Sequence, residues 1–564
     1  MGSLFVDAVQ RLSSSLDRDD IPWKTVVQTL LLGVYLFESA LQLRQHAHYS
    51  PQRHPSPPTV LQPFISQETF VKSQAYGRAK SQFAFVSGFV AQLIAVLIVH
   101  FDVYAHVWTL STSALRSLDF LPQGEIAASI AWTIGMFVVR ELPSLPLTYY
   151  QHFHLEEAHG FNKMTHSVWI ADTLKQWVLG LVIGMPLLGA VVAIIRWAGQ
   201  NFVAYVCAFL LIFQILAQIL YPTVIQPLFN TLTPLPDGPL KLRIEKLASA
   251  LRFPLKSLHV IDGSKRSSHS NAYFSGLPFS KKFIVLFDSL ICQARHDEIE
   301  AVLAHELGHW AHKDPTKLLV LAQSTLLFNF GLFSFFVQNR SLYSAFGFEL
   351  VPASPFLSKA SSFLHSATGK QPIATAPYLP VIVGLEIYQL VLGPADALIK
   401  FLMNSAVRRM EFAADRFAAE LERPKPSRAE LEASAEKAKT IAAAGAKAEG
   451  SESEKKEAPA SDVAANGASA AGAEKGNGEK ETAESVSARA LVKATELDAS
   501  EREDPECKTP YAKLLGQALI RLHVENLSTV YYDSLYSAWN HSHPTLLERL
   551  NALQPFVLKA EKAQ

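Results

Sequence analysis

Cysteine is scarce in this chain. Its 564 residues hold three, Cys207, Cys292 and Cys507. No Cys-x-x-Cys pair occurs and three is not an even set, which argues against a disulfide framework and against a thiolate zinc site. Free thiols fit functional regions that face a reducing compartment. Charge is scarce as well: 18% of residues are charged against 49% hydrophobic, and 34 are Phe. So apolar a composition points to a membrane protein. Formal net charge is zero, so no excess of one sign draws the chain to nucleic acid. Residues 1–22 lack the basic-then-apolar layout of a cleaved signal peptide. Met1-Gly2-Ser3-Leu4-Phe5-Val6 lacks the Ser/Thr of a myristoylation signal, and Glu561-Lys562-Ala563-Gln564 is neither a prenylation box nor a retention signal.

What is present is a series of long apolar runs. They lie at about 25–43, 82–108, 124–142, 174–197, 202–225, 318–337 and 379–403, each near the length a tilted helix needs to cross a bilayer. The last contains Pro380, Gly393 and Pro394, and is expected to bend or break. Glu38, Glu141 and Glu386 fall inside these runs. Before the first run stand Asp17, Asp19 and Asp20 against Arg18 and Lys24. After it, the loop 44–80 carries Arg44, Arg53, Lys72, Arg78 and Lys80 with few acids. The excess of positive charge places that loop in the cytosol and the N-terminus on the other side. Seven spans then bring 226–315 and the C-terminal part to the cytosolic side.

The expectation is a mainly α membrane protein with an inserted α/β part. Residues 1–225 form an N-terminal membrane region, and 318–403 hold two further spans. The soluble part is split into 226–317, 404–422 and 506–564. In it Lys241–Leu251 and Ala512–Leu527 read as amphipathic helices, and Leu258–Gly263 and Phe283–Phe287 as short strands. Residues 423–505 are rich in Ala, Gly, Ser, Glu and Lys and poor in large apolar residues. Such a stretch reads as a disordered linker, with transient helix near Arg428–Ala444.

The chemistry is carried by Ala301-Val302-Leu303-Ala304-His305-Glu306-Leu307-Gly308-His309-Trp310, which contains His-Glu-x-x-His. On a helix His305 and His309 share one face. Two imidazoles so placed can hold one zinc ion, with Glu306 beside it to take a proton from water. A hydrolytic zinc site needs a third protein ligand. Glu411, Asp415 and His543 are the candidates. Glu411 is favoured because Asp415, four residues on, then serves as the carboxylate that orients a ligand histidine. Asn271 lies in an extended stretch before a strand.

Five separated motifs resemble the type I CAAX prenyl proteases, which are integral-membrane zinc metallopeptidases. They are His305-Glu306-Leu307-Gly308-His309-Trp310, Arg409-Met410-Glu411-Phe412-Ala413-Ala414-Asp415 and Asn271-Ala272-Tyr273-Phe274-Ser275-Gly276. To these add His541-Ser542-His543-Pro544 through Arg549, and His159-Gly160-Phe161-Asn162-Lys163. The likeness runs in order from about 25 to 555; the departure is 423–505, where the related proteins have a much shorter link. The resemblance implies seven transmembrane helices around a water-filled chamber, with a zincin-like α/β metallopeptidase domain on the cytosolic side. It implies one zinc per chain and an endoplasmic reticulum location, with the inner nuclear membrane as a second address. Its partners would be the bilayer and prenylated proteins or peptides, which lose their last three residues. It makes Asn271 a binder of substrate backbone and His543 a stabiliser of the oxyanion. It makes Arg549, whose planar fork suits a carboxylate, the residue that meets the substrate's C-terminus. Two other readings stay open. One is a membrane quality-control zinc protease with no prenyl preference. The other is a channel- or transporter-like protein with a non-catalytic metal site, which Glu38, Glu141 and Glu386 would suit.

Overall fold

A computed structural model describes residues 11–118, 120–276, 280–350, 374–376, 378–453, 483–504 and 507–563. Helix α1 (Trp23–His46) is followed by α2 (Gln67–His100), α3 (Val103–Arg116) and α4 (Glu125–Tyr150). Helices α5 (His166–Leu179), α6 (Met185–Ala198) and α7 (Phe202–Leu220) come next. Then follow β1 (Leu232–Pro234), α8 (Pro239–Ala250), β2 (Leu255–Ile261), β3 (Ala272–Ser275) and β4 (Lys282–Phe287). Beyond them lie α9 (Asp288–Gln293), α10 (His296–Ala311), α11 (Asp314–Phe333) and α12 (Val381–Glu420). The chain continues through α13 (Arg428–Ser453), α14 (Ala483–Thr495), α15 (Ala499–Glu503), α16 (Tyr511–Glu525), α17 (Ser534–Asn540) and α18 (Leu546–Ala563).

These elements sort into two units. The first is built from residues 1–221, 313–412 and 527–545, the second from 222–312, 413–526 and 546–564. In the first unit long helices present apolar side chains outward, Leu36, Phe89, Leu93, Val138, Val182, Ile212 and Leu327 among them. An apolar exterior on long helices is what a bilayer requires. Six helical stretches among the described residues are long and apolar enough to cross a membrane. One of them, His166–Leu228, has 63 residues. In it α6 and α7 pack on each other after a corner at Gly199, whose φ is 54°, so this stretch accounts for two of the seven runs.

Three boundaries differ from the expectation. The run 82–108 is not one span: α2 begins at Gln67 and ends at His100. Asp102 then takes a left-handed conformation (φ 51°), and Lys24 Nζ donates to its carboxylate at 2.9 Å. Neither Gly nor Pro marks that turn; the ion pair holds it. Of the bend or break expected of the last run, the break is absent: α12 runs through Pro394 for 40 residues. The third difference is 423–505. Residues 454–482 lie outside the described residues, but both flanks are helical. The second flank is packed, with Ala490 and Ala494 fully buried. Helix α14 fits against the turn before α8 because Gly238 has no side chain; a Cβ there would lie 2.7 Å from Ala494 O. The overall composition concealed small apolar residues four apart. The acids within the runs have partners: Arg140 Nη2 donates to Glu386 at 2.8 Å, Lys400 lies 3.8 Å from Glu38, and Ser144 Oγ donates to Glu141 Oε2 at 3.4 Å.

The second unit contains a sheet of order β1-β2-β4-β3. β2 and β4 are parallel, and β1 and β3 flank them antiparallel. Ile284, Val285 and Leu286 of β4 are buried, as an inner strand demands. β3 is an edge, in register with β4 through Tyr273 and Val285. Helix α10 is buried along most of its length, and α16 packs against it with Leu514, Leu515 and Ala518 inward.

Candidate metal centre

Helix α10 starts from one half of a capping box. The Glu298 carboxylate accepts from Arg295 N at 2.9 Å, satisfying a donor that a helix start leaves open. Its interior is tied by a buried ion network. Glu300, fully buried, accepts from Arg243 Nη1 at 3.1 Å, from Arg423 Nη2 at 3.3 Å and from Tyr511 Oη at 2.7 Å. Glu298 also accepts from Arg521 Nε at 2.8 Å. The first turns of the helix are thereby fixed in rotation and depth, and with them the face that carries His305 and His309.

That face meets α12 at close range. A Cβ on Gly308 would lie 3.1 Å from Ala414 Cα and 3.1 Å from the Phe417 ring. Glycine and alanine let the two backbones approach so nearly that Asp415 reaches His305, its Oδ1 lying 2.9 Å from Nδ1. Asp415 is 1% exposed, a buried carboxylate that needs a counter-charge. Arg549 of α18 supplies it, with Nε donating to Oδ2 at 2.8 Å and Nη2 to Oδ1 at 2.5 Å. Arg549 Nη2 also lies 3.3 Å from His305 Nδ1. Two donors cannot face each other, so the shorter contact decides: Nδ1 carries its proton toward Asp415, and Nε2 keeps the lone pair.

Helix α12 passes from the first unit to the second between Phe412 and Ala413. Glu411 and Asp415 are therefore one turn apart on one unbroken rod. His305, His309 and Glu411 each bring a ligand atom to within 4.8 Å of the others. His305 and Glu411 are buried and His309 is half-buried. His543 Nδ1 lies 3.1 Å from Glu411 Oε1. Two imidazoles and a carboxylate with a fixed tautomer are a donor set that suits zinc with one position left open.

Glu306 follows His305 on α10 and is half-buried. Asn271 sits at the start of edge strand β3; its Oδ1 accepts from Ala272 N at 2.8 Å and its carbonyl from Phe287 N at 3.1 Å. Arg549, which the resemblance assigns to the substrate's C-terminal carboxylate, turns Nε and Nη2 to Asp415. Sequence reasoning missed Glu300, Arg243, Arg423 and Tyr511; an acid five residues before the first motif histidine was the available signal.

Residues 45–231 match the family model described as the CAAX prenyl protease N-terminal region with five membrane helices, and 234–557 match peptidase family M48. "CAAX prenyl protease 1" of Saccharomyces cerevisiae is 33% identical over 548 residues, covering 96% of this chain and 97% of the yeast protein. A homologue from Arabidopsis thaliana is 33% identical over 534 residues, covering 94% of this chain and 98% of that protein. The crystal structure of S. mikatae Ste24p superposes with a TM-score of 0.72 at 32% identity, over 94% of this chain and 99% of that one. With both family models and nearly its whole length accounted for, this chain belongs to the M48 peptidases of the CAAX prenyl protease type.

Proposed function

We propose that this protein is a zinc metalloendopeptidase of the endoplasmic reticulum membrane, with its catalytic side toward the cytosol, that removes the last three residues from prenylated CAAX proteins. The observation that carries the reading is the His305–His309–Glu411 cluster with Asp415 on the far nitrogen of His305, in a chain whose relatives are named CAAX prenyl protease 1. Zinc, held by His305, His309 and Glu411, would supply a Lewis acid at the scissile carbonyl. Glu306 takes the proton of the attacking water and returns it to the leaving amine. Asp415 holds His305 in one tautomer, and Arg549 holds Asp415. His543 donates to the developing oxyanion, and Asn271, at the edge of the sheet, pairs with substrate backbone. A membrane enzyme suits such a substrate, since a prenyl chain partitions into lipid at roughly 0.8 kcal/mol per buried CH₂.

The test is cleavage of a farnesylated CAAX peptide and its unprenylated twin by purified protein, with and without a chelator. Chelator-sensitive release of the tripeptide from the farnesylated peptide alone is expected. Equal cleavage of both would favour a quality-control protease without prenyl preference.

A further inference from the structure

His543 is carried by Leu527–Thr545, a segment that belongs with the helices of the first unit although it lies between two elements of the second. Its hold on that unit is specific. Gln45, in the last turn of α1, is fully buried. Its side-chain amide clasps the backbone of the segment at two points: Nε2 donates to Tyr531 O at 3.1 Å, and Oε1 accepts from Asp533 N at 2.9 Å. A carbonyl on one side and an N–H on the other fix the amide's orientation. The Asp533 side chain continues the clasp. Its carboxylate accepts from Arg44 Nη2 at 2.8 Å, and Oδ1 also accepts from Leu535 N at 3.1 Å and Tyr536 N at 3.0 Å, capping α17.

From this cap a short rigid path leads to the site. Trp539 packs on Phe37 of α1 and Phe401 of α12, with centroids 4.8 and 5.4 Å apart. Asn404 Nδ2 donates to Trp539 O at 2.8 Å, and Arg408 Nη1 to His543 O at 3.1 Å. His543 then meets Glu411 at 3.1 Å. A side chain with 67% exposure has little packing of its own to hold it. Its position comes from the backbone, and the backbone from the clasp.

We infer that Gln45 and Asp533 are positioning residues of the peptidase reaction, setting His543 over Glu411 from the end of the first membrane helix. The inference rests on the proposed role of His543. Burial without hydrogen bonds to this segment would make Gln45 a mere packing residue. Two main-chain bonds and a helix cap on consecutive links of one strap make it a device for placing what the strap carries.

The experiment is a double-mutant cycle on zinc-loaded full-length enzyme with a farnesylated peptide. Gln45→Leu removes both main-chain bonds at similar volume and should lower kcat roughly ten- to a hundredfold, as small misplacements do, with KM and zinc per chain unchanged. In a His543→Ala background it should cost nothing further. Asp533→Ala should behave like Gln45→Leu, and Asp533→Asn, which keeps the cap, should regain most of the lost kcat. Additive losses in the double mutant, loss of zinc, or an unaltered kcat in Gln45→Leu and Asp533→Ala beside a crippled His543→Ala overturns the inference. A fully active His543→Ala instead overturns the reading of His543, and the inference with it. If Gln45→Leu does not fold, the Asp533 pair decides alone.

Discussion

Helix α10 lends histidines to two groups of histidine and carboxylate that a metal could bridge. His305, His309 and Glu411 form one; His296, Asp498 and Glu501 form the other, and in each the ligand atoms lie within 4.8 Å. The second is filled by the protein itself. Arg243 Nε donates to Glu501 Oε1 at 2.7 Å, His296 N donates to Asp498 Oδ2 at 2.6 Å, and Ser500 N to Asp498 Oδ1 at 2.7 Å. The His296 ring is wedged between Glu501 Oε1 at 3.2 Å and Lys493 O at 3.1 Å. In the first group the guanidinium stands one layer back: Arg549 binds Asp415, on the far side of the imidazole from the lone pair. The same residue types form a clamp or a candidate metal centre according to where the arginine is placed.

That contrast can be broken at several points. Glu411→Ala should reduce zinc from one per chain to near none and abolish cleavage; metal analysis of the purified variant reads it, and normal zinc there with loss in His543→Ala would move the third ligand to His543. Glu306→Gln should keep its zinc and lose at least about two orders of magnitude in turnover, the usual scale of general-base removal. Asp415→Ala should weaken zinc binding roughly ten- to a hundredfold, measured by competition with a chelator; an unchanged affinity would mean that the tautomer needs no holder. Glu501→Gln should leave zinc at one per chain while lowering the thermal midpoint, because it uncouples a buried ion network. A second equivalent of zinc in the parent protein that this variant loses would show the clamp to be a metal site after all. Excising 455–481 should change neither quantity, whereas excising 425–503 should cost stability by removing α14 and the Asp498 cap.

The legible parts were those written in local spacing. His305 and His309, and Glu411 and Asp415, are pairs four apart on helices, and that periodicity needs no tertiary knowledge. The partner of Arg549 was not legible, because its carboxylate lies 134 residues earlier and several acids compete for it on paper. The turn at Asp102 escaped because its left-handed backbone is stabilised by Lys24 on another helix. The packed flank at Ala490 and Ala494 escaped for a different reason. A composition averaged over 423–505 is dominated by its polar majority, while two buried alanines one turn apart suffice to dock a helix.

The arginine on Asp415 has one more consequence. Arg549 lies near the end of the chain, yet it fixes the carboxylate that fixes the first motif histidine, 244 residues earlier. During synthesis His305, Glu306, His309, Glu411 and Asp415 are all made before the residue that neutralises Asp415. Until α18 arrives, a buried acid beside His305 lacks that counter-charge. A growing chain, with its hydrophobic helices still being threaded into the bilayer, carries the parts of a protease without the last tie that holds them in working order.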